Sequence, residues 1–152
     1  MSRSTTRNQA YAALFDLTAN LRLPSGTPAL VARSRKLKHF SKVSSDQQPV
    51  LYQTEHTETE KQGERLPPFR KWQGHWTLYI SSEPSDESQI GSVWLNDYLD
   101  ALDFAIRPPF GQSMQTLGGL VHHAFIDGTI LKVPGDDDGQ GLMTVPFTML
   151  VP

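Results

Sequence analysis

Near the C-terminus Met143, Val145, Phe147, Met149 and Val151 fall on one parity, while Thr144, Pro146 and Thr148 occupy the other. Successive side chains of a β-strand point to opposite faces of its sheet, so this run is a strand with one apolar face. A sheet containing it must be covered on that side, which limits the chain to layered architectures. Pro146 has no N–H to give to a ladder, and this predicts that the strand lies at a sheet edge or is bulged there. An edge is also where another subunit can add.

Upstream, Thr116 to Val133 followed by Pro-Gly-Asp-Asp-Asp-Gly-Gln-Gly reads as the first arm and polar turn of a hairpin that ends in this strand. Trp76, Leu78 and Ile80 alternate with Thr77 and Tyr79 as a half-buried strand, and shorter strands are expected at Ala29 to Arg33 and from Pro49 to Gln53. From Thr54 to Glu60 threonine alternates with charge and no core pattern remains. That segment reads as a strand running out into a long mobile loop at about 54–71, of the kind that orders against a neighbouring molecule.

Two helices complete the pattern. Tyr11, Leu14, Phe15, Thr18 and Leu21 recur at helical spacing from Ser4 onward, with Ser4, Thr5 or Thr6 as N-cap. Ile90, Trp94, Leu95, Tyr98, Leu99, Leu102, Ala105 and Ile106 give a wider apolar stripe, with Asp86 as its cap, and Arg107-Pro108-Pro109 stops it. Asp97, Asp100 and Asp103 share the opposite surface. The fold class expected is α+β: a mostly antiparallel sheet of about four or five strands with two helices packed on one face, forming a single domain over residues 1–152.

The 152 residues include no cysteine, so disulfides and thiolate metal sites are excluded. No long apolar run marks a secretory leader or a membrane helix, and a cytoplasmic site of synthesis without membrane contact is expected. The net charge is only −2, yet the halves differ in sign. Residues 1–75 carry twelve Lys/Arg and six Asp/Glu, whereas residues 76–152 carry two and ten. A subunit with a basic and an acidic face can bind copies of itself heterologously, and such contacts close into a ring when the rotation permits.

Catalytic chemistry finds little support. His122 and His123 are adjacent on a strand, so their side chains diverge and cannot share one ion. Asp127-Gly128 reads as a turn or bulge, which leaves His123 as a structural histidine rather than a partner of Asp127. Gly135 to Gly139 carries three aspartates but lacks the alternate spacing and distal glutamate of a calcium loop. Gly111-Gln112-Ser113-Met114-Gln115 lacks the closing glycine of a nucleophile elbow, and Leu117-Gly118-Gly119-Leu120 opens no helix, so it reads as a bend. Neither an enzyme nor a cofactor or metal site is expected. The run Arg33, Arg35, Lys36, Lys38 and Lys42 could meet a phosphate backbone, but acids on a neighbouring subunit suit it better. The interface residues expected are Arg33, Arg35, Lys36 and Lys38 on the basic side. On the acidic side they are Glu55, Glu58, Asp97, Asp100, Asp136, Asp137 and Asp138.

Several of these segments, in this order, resemble the bacteriophage tail terminator family. Tyr11 to Phe15, Arg33 to Lys38, Gln48 to Tyr52, Pro67-Pro68 before Trp76 to Ile80, Asn96 to Leu102, Thr116 to Val121 and the final hairpin carry the likeness, which covers almost the whole chain. The resemblance implies a structural subunit of the virion, assembled in the host bacterial cytoplasm. Six copies would form a ring at the head–tail junction. That ring caps the tail-tube protein, stops tube polymerisation and offers a surface to the head-completion or connector protein. Viral DNA would pass through its lumen without sequence-specific binding. A head-closure or adaptor protein of the connector and a tail-tube subunit are the alternatives.

Overall fold

A computed structural model describes residues 5–63 and 66–152, the side chains of 61–69 excepted. Helix α1 (Arg7–Asp16) starts at a reciprocal cap: Gln9 N–H donates to the Thr6 hydroxyl and Thr6 N–H to the Gln9 side chain. Of the expected caps, Ser4 lies outside the described residues. The helix is shorter than its periodicity predicted, because the Thr18 hydroxyl bonds back to the Phe15 carbonyl and the chain leaves the helix in turns through Asn20.

The sheet contains six strands among the described residues: β1 (Ala32–Ser34), β2 (Val50–Gly63), β3 (Leu66–Ser81), β4 (His123–Ile126), β5 (Leu131–Val133) and β6 (Gln140–Val151). Its order is β1-β2-β3-β6-β4, with β5 following β4 along the same side of β6. Only the β1–β2 pair is parallel. The first arm of the C-terminal hairpin is therefore two short strands, which takes the count past the four or five expected.

That break corrects the expectation for Pro146. Strand β6 is flanked on both sides, by β3 and by β4 with β5, so it is no edge. Pro146 accepts a bond from Asp127 N–H, which places its nitrogen on the same side, facing the gap between β4 and β5. The missing donor falls where no partner strand runs. Gly128, at φ +124°, packs against the Pro146 ring there, and a Cβ at that position would lie 2.9 Å from the Pro146 Cγ.

The expected loop at 54–71 is also corrected. Residues Thr54 to Lys61 continue β2 and pair with Phe69 to His75 of β3, with a bulge between Glu55 and Thr57. Residues 64 and 65 lie outside the described residues. This segment lacks a core pattern because its side chains from Glu55 to Glu60 are exposed, so backbone pairing rather than burial makes it a strand.

Helix α2 (Gly91–Ile106) begins at Ile90 without a side-chain cap. Asp86 instead bonds Ser88 N–H, closing its own turn. Glycine is required at 91, since a Cβ there would sit 2.2 Å from the Pro134 carbonyl oxygen. Both helices pack on one face of the sheet. Tyr11 and Leu14 of α1, and Leu95, Tyr98 and Leu102 of α2, join Trp72, Trp76, Leu78 and the whole odd-numbered run Met143 to Val151 in one core. Tyr11 stacks on Trp72 at 6.1 Å, and Phe147 fills the space between Tyr11 and Trp76. On the opposite face Val43, Val50, Tyr52 and Tyr79 form a smaller cluster under the 35–48 segment, which is fixed by the Tyr79 hydroxyl bonding the Lys38 carbonyl at 2.7 Å.

Candidate functional site

The basic run leaves β1 and crosses the outer face of the sheet, and its members have different fates. Arg33 turns inward: its guanidinium donates to the Phe15 carbonyl at 2.7 Å and to the Thr18 hydroxyl at 3.0 Å, and lies 4.1 Å from the centre of the Phe15 ring. It ties the end of α1 to β1 and is not available to a partner. Arg35 pairs with Glu55 at 3.4 Å within the chain. Lys36, Lys38 and Lys42 are exposed, and none of them pairs with a carboxylate among the described residues. Lys38 also lines a cavity of about 190 Å³ with Val31, Ala32, Val43, Val50 and Tyr52. Val31, Leu37 and Phe40, all large apolar side chains, are exposed in the same segment.

The acidic residues are spread over three places. Glu55 and Glu58 stand on β2 beyond its pairing with β1, and Glu58 holds Arg7 of α1 at 2.7 Å. That contact raises the already high pKa of the exposed Arg7, chiefly through the hydrogen bond and then through the charge of Glu58. On α2, Asp97 accepts from the Thr27 hydroxyl and is half-buried, whereas Asp100 is exposed. Asp103, beside Asp100, has its carboxyl raised by burial and then by the neighbouring negative charge. Asp136, Asp137 and Asp138 are exposed in the turn before β6, where Asp138 accepts from Gln140 N–H. The structure therefore does not gather the expected acids into one surface.

One grouping escaped the sequence reading. The 135–139 turn and the 82–89 loop are bound together, Ser82 N–H donating to the Gly139 carbonyl at 2.8 Å. The two abutting segments carry Glu83, Asp86 and Glu87 on one and Asp136 to Asp138 on the other, and neither contains a Lys or Arg. Asp86 is held below the usual carboxylate range by its hydrogen bonds from Ser88. The separation of these segments, some fifty residues along the chain, hid the cluster from any local reading. Ile90 and Val93 of α2, with Leu131 and Val133 of β5, are exposed apolar residues close by, since Gly91 abuts Pro134.

The histidines divide likewise. His123 accepts from Gln115 N–H at 3.0 Å, and His122 is exposed. Across β2 and β3 the bulge brings His56 to within 5.0 Å of His75, ring centre to ring centre. Burial, and then the charge of His56, lower the His75 pKa. Asp127 accepts from Thr148 at 3.3 Å and lies 4.0 Å from Lys71. Among the described residues no three His, Asp or Glu side chains converge as metal ligands, and no helix is long and apolar enough to cross a membrane.

The described residues present a basic, partly apolar patch beside β1, an acidic, partly apolar patch at β5, and a short two-stranded extension of β2 and β3 past the end of β6. Neither the models of known protein families nor the curated proteins give a match to this chain.

Proposed function

We propose that this chain is a structural subunit of a bacteriophage virion of the tail terminator type. Copies of it, six in the proposed ring, cap the tail tube, stop its polymerisation and present the surface to which the head attaches. The observation that carries the reading is the arm. Pairing of β3 with β6 ends at Arg70↔Val151, while β2 and β3 remain paired beyond it, so a two-stranded ribbon outruns the sheet. That ribbon comprises residues 61–63 and 66–69. Beside it the β2 edge from Glu55 to Glu60, beyond the pairing with β1, carries exposed side chains that contribute nothing to the subunit's own core. An open edge running into a ribbon suits contact with a tube subunit or an adjacent copy. The ordered set of motifs that resemble those of tail terminators, and the two oppositely charged patches, support the same reading. Such a ring would sit at the head–tail junction and let DNA through its lumen without reading sequence.

The test is electron microscopy of a lysate in which a stop codon interrupts this gene in its parent phage. Filled heads beside unattached, overlong tubes are expected. Tails of normal length beside leaking heads would assign the protein to head closure, and tube formation by the purified chain alone would assign it to the tube.

A further inference from the structure

We propose that the β5 edge of one copy docks on the β1 edge of the next, joining the acidic patch to the basic one. The proposal rests on the reading of the chain as a self-assembling subunit and names the surfaces that such assembly uses.

The two edges, β1 and β5, lie at the ends of a single row of paired residues. Val133 pairs with Leu142, Leu142 with Tyr79, Tyr79 with Val50, and Val50 with Ala32. Four strand spacings of about 4.8 Å put β1 and β5 roughly 19 Å apart, so these two edges cannot pair within one chain. Both outer strands are three residues long and have no neighbour on their far side among the described residues. The strand directions along the row make β5 of one copy antiparallel to β1 of the next when the copies are placed side by side.

Charge and apolarity match across that junction. Glu83, Asp86, Glu87, Asp136, Asp137 and Asp138 border β5 with no cation in their two loops, and Lys36, Lys38 and Lys42 follow β1 without carboxylate partners among the described residues. Each patch also carries exposed large apolar side chains, Leu131 and Val133 on one and Val31, Leu37 and Phe40 on the other. Beside the second group lies the cavity of about 190 Å³ under Lys38, open to an apolar side chain of the neighbour. Exposed apolar groups rimmed by charge mark an interaction surface, and opposite charges fix which surfaces meet. Because the two surfaces differ, the contact is heterologous and propagates from copy to copy until the ring closes.

Sedimentation of the full chain at low salt, over a concentration series, tests the contact. Association is expected for the wild type and should fall with added salt. Either Lys36→Glu with Lys38→Glu, or Asp136→Lys with Asp137→Lys, should weaken it by about tenfold or more, and the chain bearing all four changes should recover it. Single cysteines then fix the geometry in this cysteine-free chain. A Leu131→Cys preparation mixed with a Leu37→Cys preparation should give cross-linked pairs of unlike chains with a short thiol-reactive linker. A wild type that stays monomeric, association indifferent to the reversals, no recovery in the fourfold variant, or no unlike pairs would each overturn the proposal. The tail terminator reading is judged separately, by tail length in the lysate, so overlong tubes with no β5–β1 contact would leave it standing.

Discussion

The Gln53 side chain accepts a hydrogen bond from the Trp76 indole N–H at 3.0 Å and donates one to the Tyr11 carbonyl at 2.9 Å. One buried amide thus satisfies β3 and holds α1 to the sheet. Replacing it with leucine would leave the Trp76 N–H and the Tyr11 carbonyl without these partners. A loss of about 2–3 kcal/mol is expected for Gln53→Leu, measured by urea unfolding with the slope unchanged.

Gly74 stands where β2, β3 and Phe147 meet. A Cβ there would lie 2.1 Å from the Thr54 carbonyl oxygen and 2.6 Å from the Phe147 Cζ, and the first of these is backbone that cannot swing aside. Gly74→Ala should cost about 2 kcal/mol or more and disturb the aromatic core, lowering near-ultraviolet circular dichroism before the helical signal.

His75 is half-buried beside Thr54, His56 and Pro146, and its native pKa lies below the ordinary 6.5. The unfolded chain therefore binds the proton more readily than the native one. Stability is full above about pH 6.5 and declines as pH falls through the lowered native value, because protonation favours the unfolded state there. Thermal unfolding of the His75→Gln variant should show a flatter dependence between pH 7 and 5 than the wild type. An identical dependence in both would refute this assignment.

Arg33 and Arg35 are two residues apart and should behave differently. Arg33→Ala removes bonds to Phe15 and Thr18 and the stacked contact with the Phe15 ring, so a cost of about 1–2 kcal/mol is expected. Arg35→Ala removes one exposed pair with Glu55 and should change stability by less than about 1 kcal/mol. Chemical denaturation of the two variants side by side distinguishes them.

The parts of the fold legible in the sequence are those where burial and periodicity coincide. The Ile90 to Ile106 stripe is α2, and the odd-numbered run from Met143 to Val151 faces the core without exception. The α+β class follows from those two together. What could not be read is structure held by partners rather than by pattern. Thr54 to Glu60 gives no periodic burial signal because both its faces meet solvent, and only its pairing with β3 makes it a strand. The same limit applies to the surface. Arg33 looks no different from Lys36 along the chain, yet one is spent on α1 and the other projects outward. The acidic patch was out of reach for a further reason, since its two loops meet only after β3 and β6 have paired.

The placement of Pro146 also decides alignment. Alternation alone cannot distinguish registers of β6 that differ by two residues, because each keeps the same side chains in the core. A slip of one turns the apolar run outward and points the imide nitrogen at β3. A slip of two preserves the core face but sets the imide nitrogen against a carbonyl of β4 or β5 that needs a donor. Only the observed register aims it at the break near Gly128, so the residue that cannot pair is what locks the pairing of its strand.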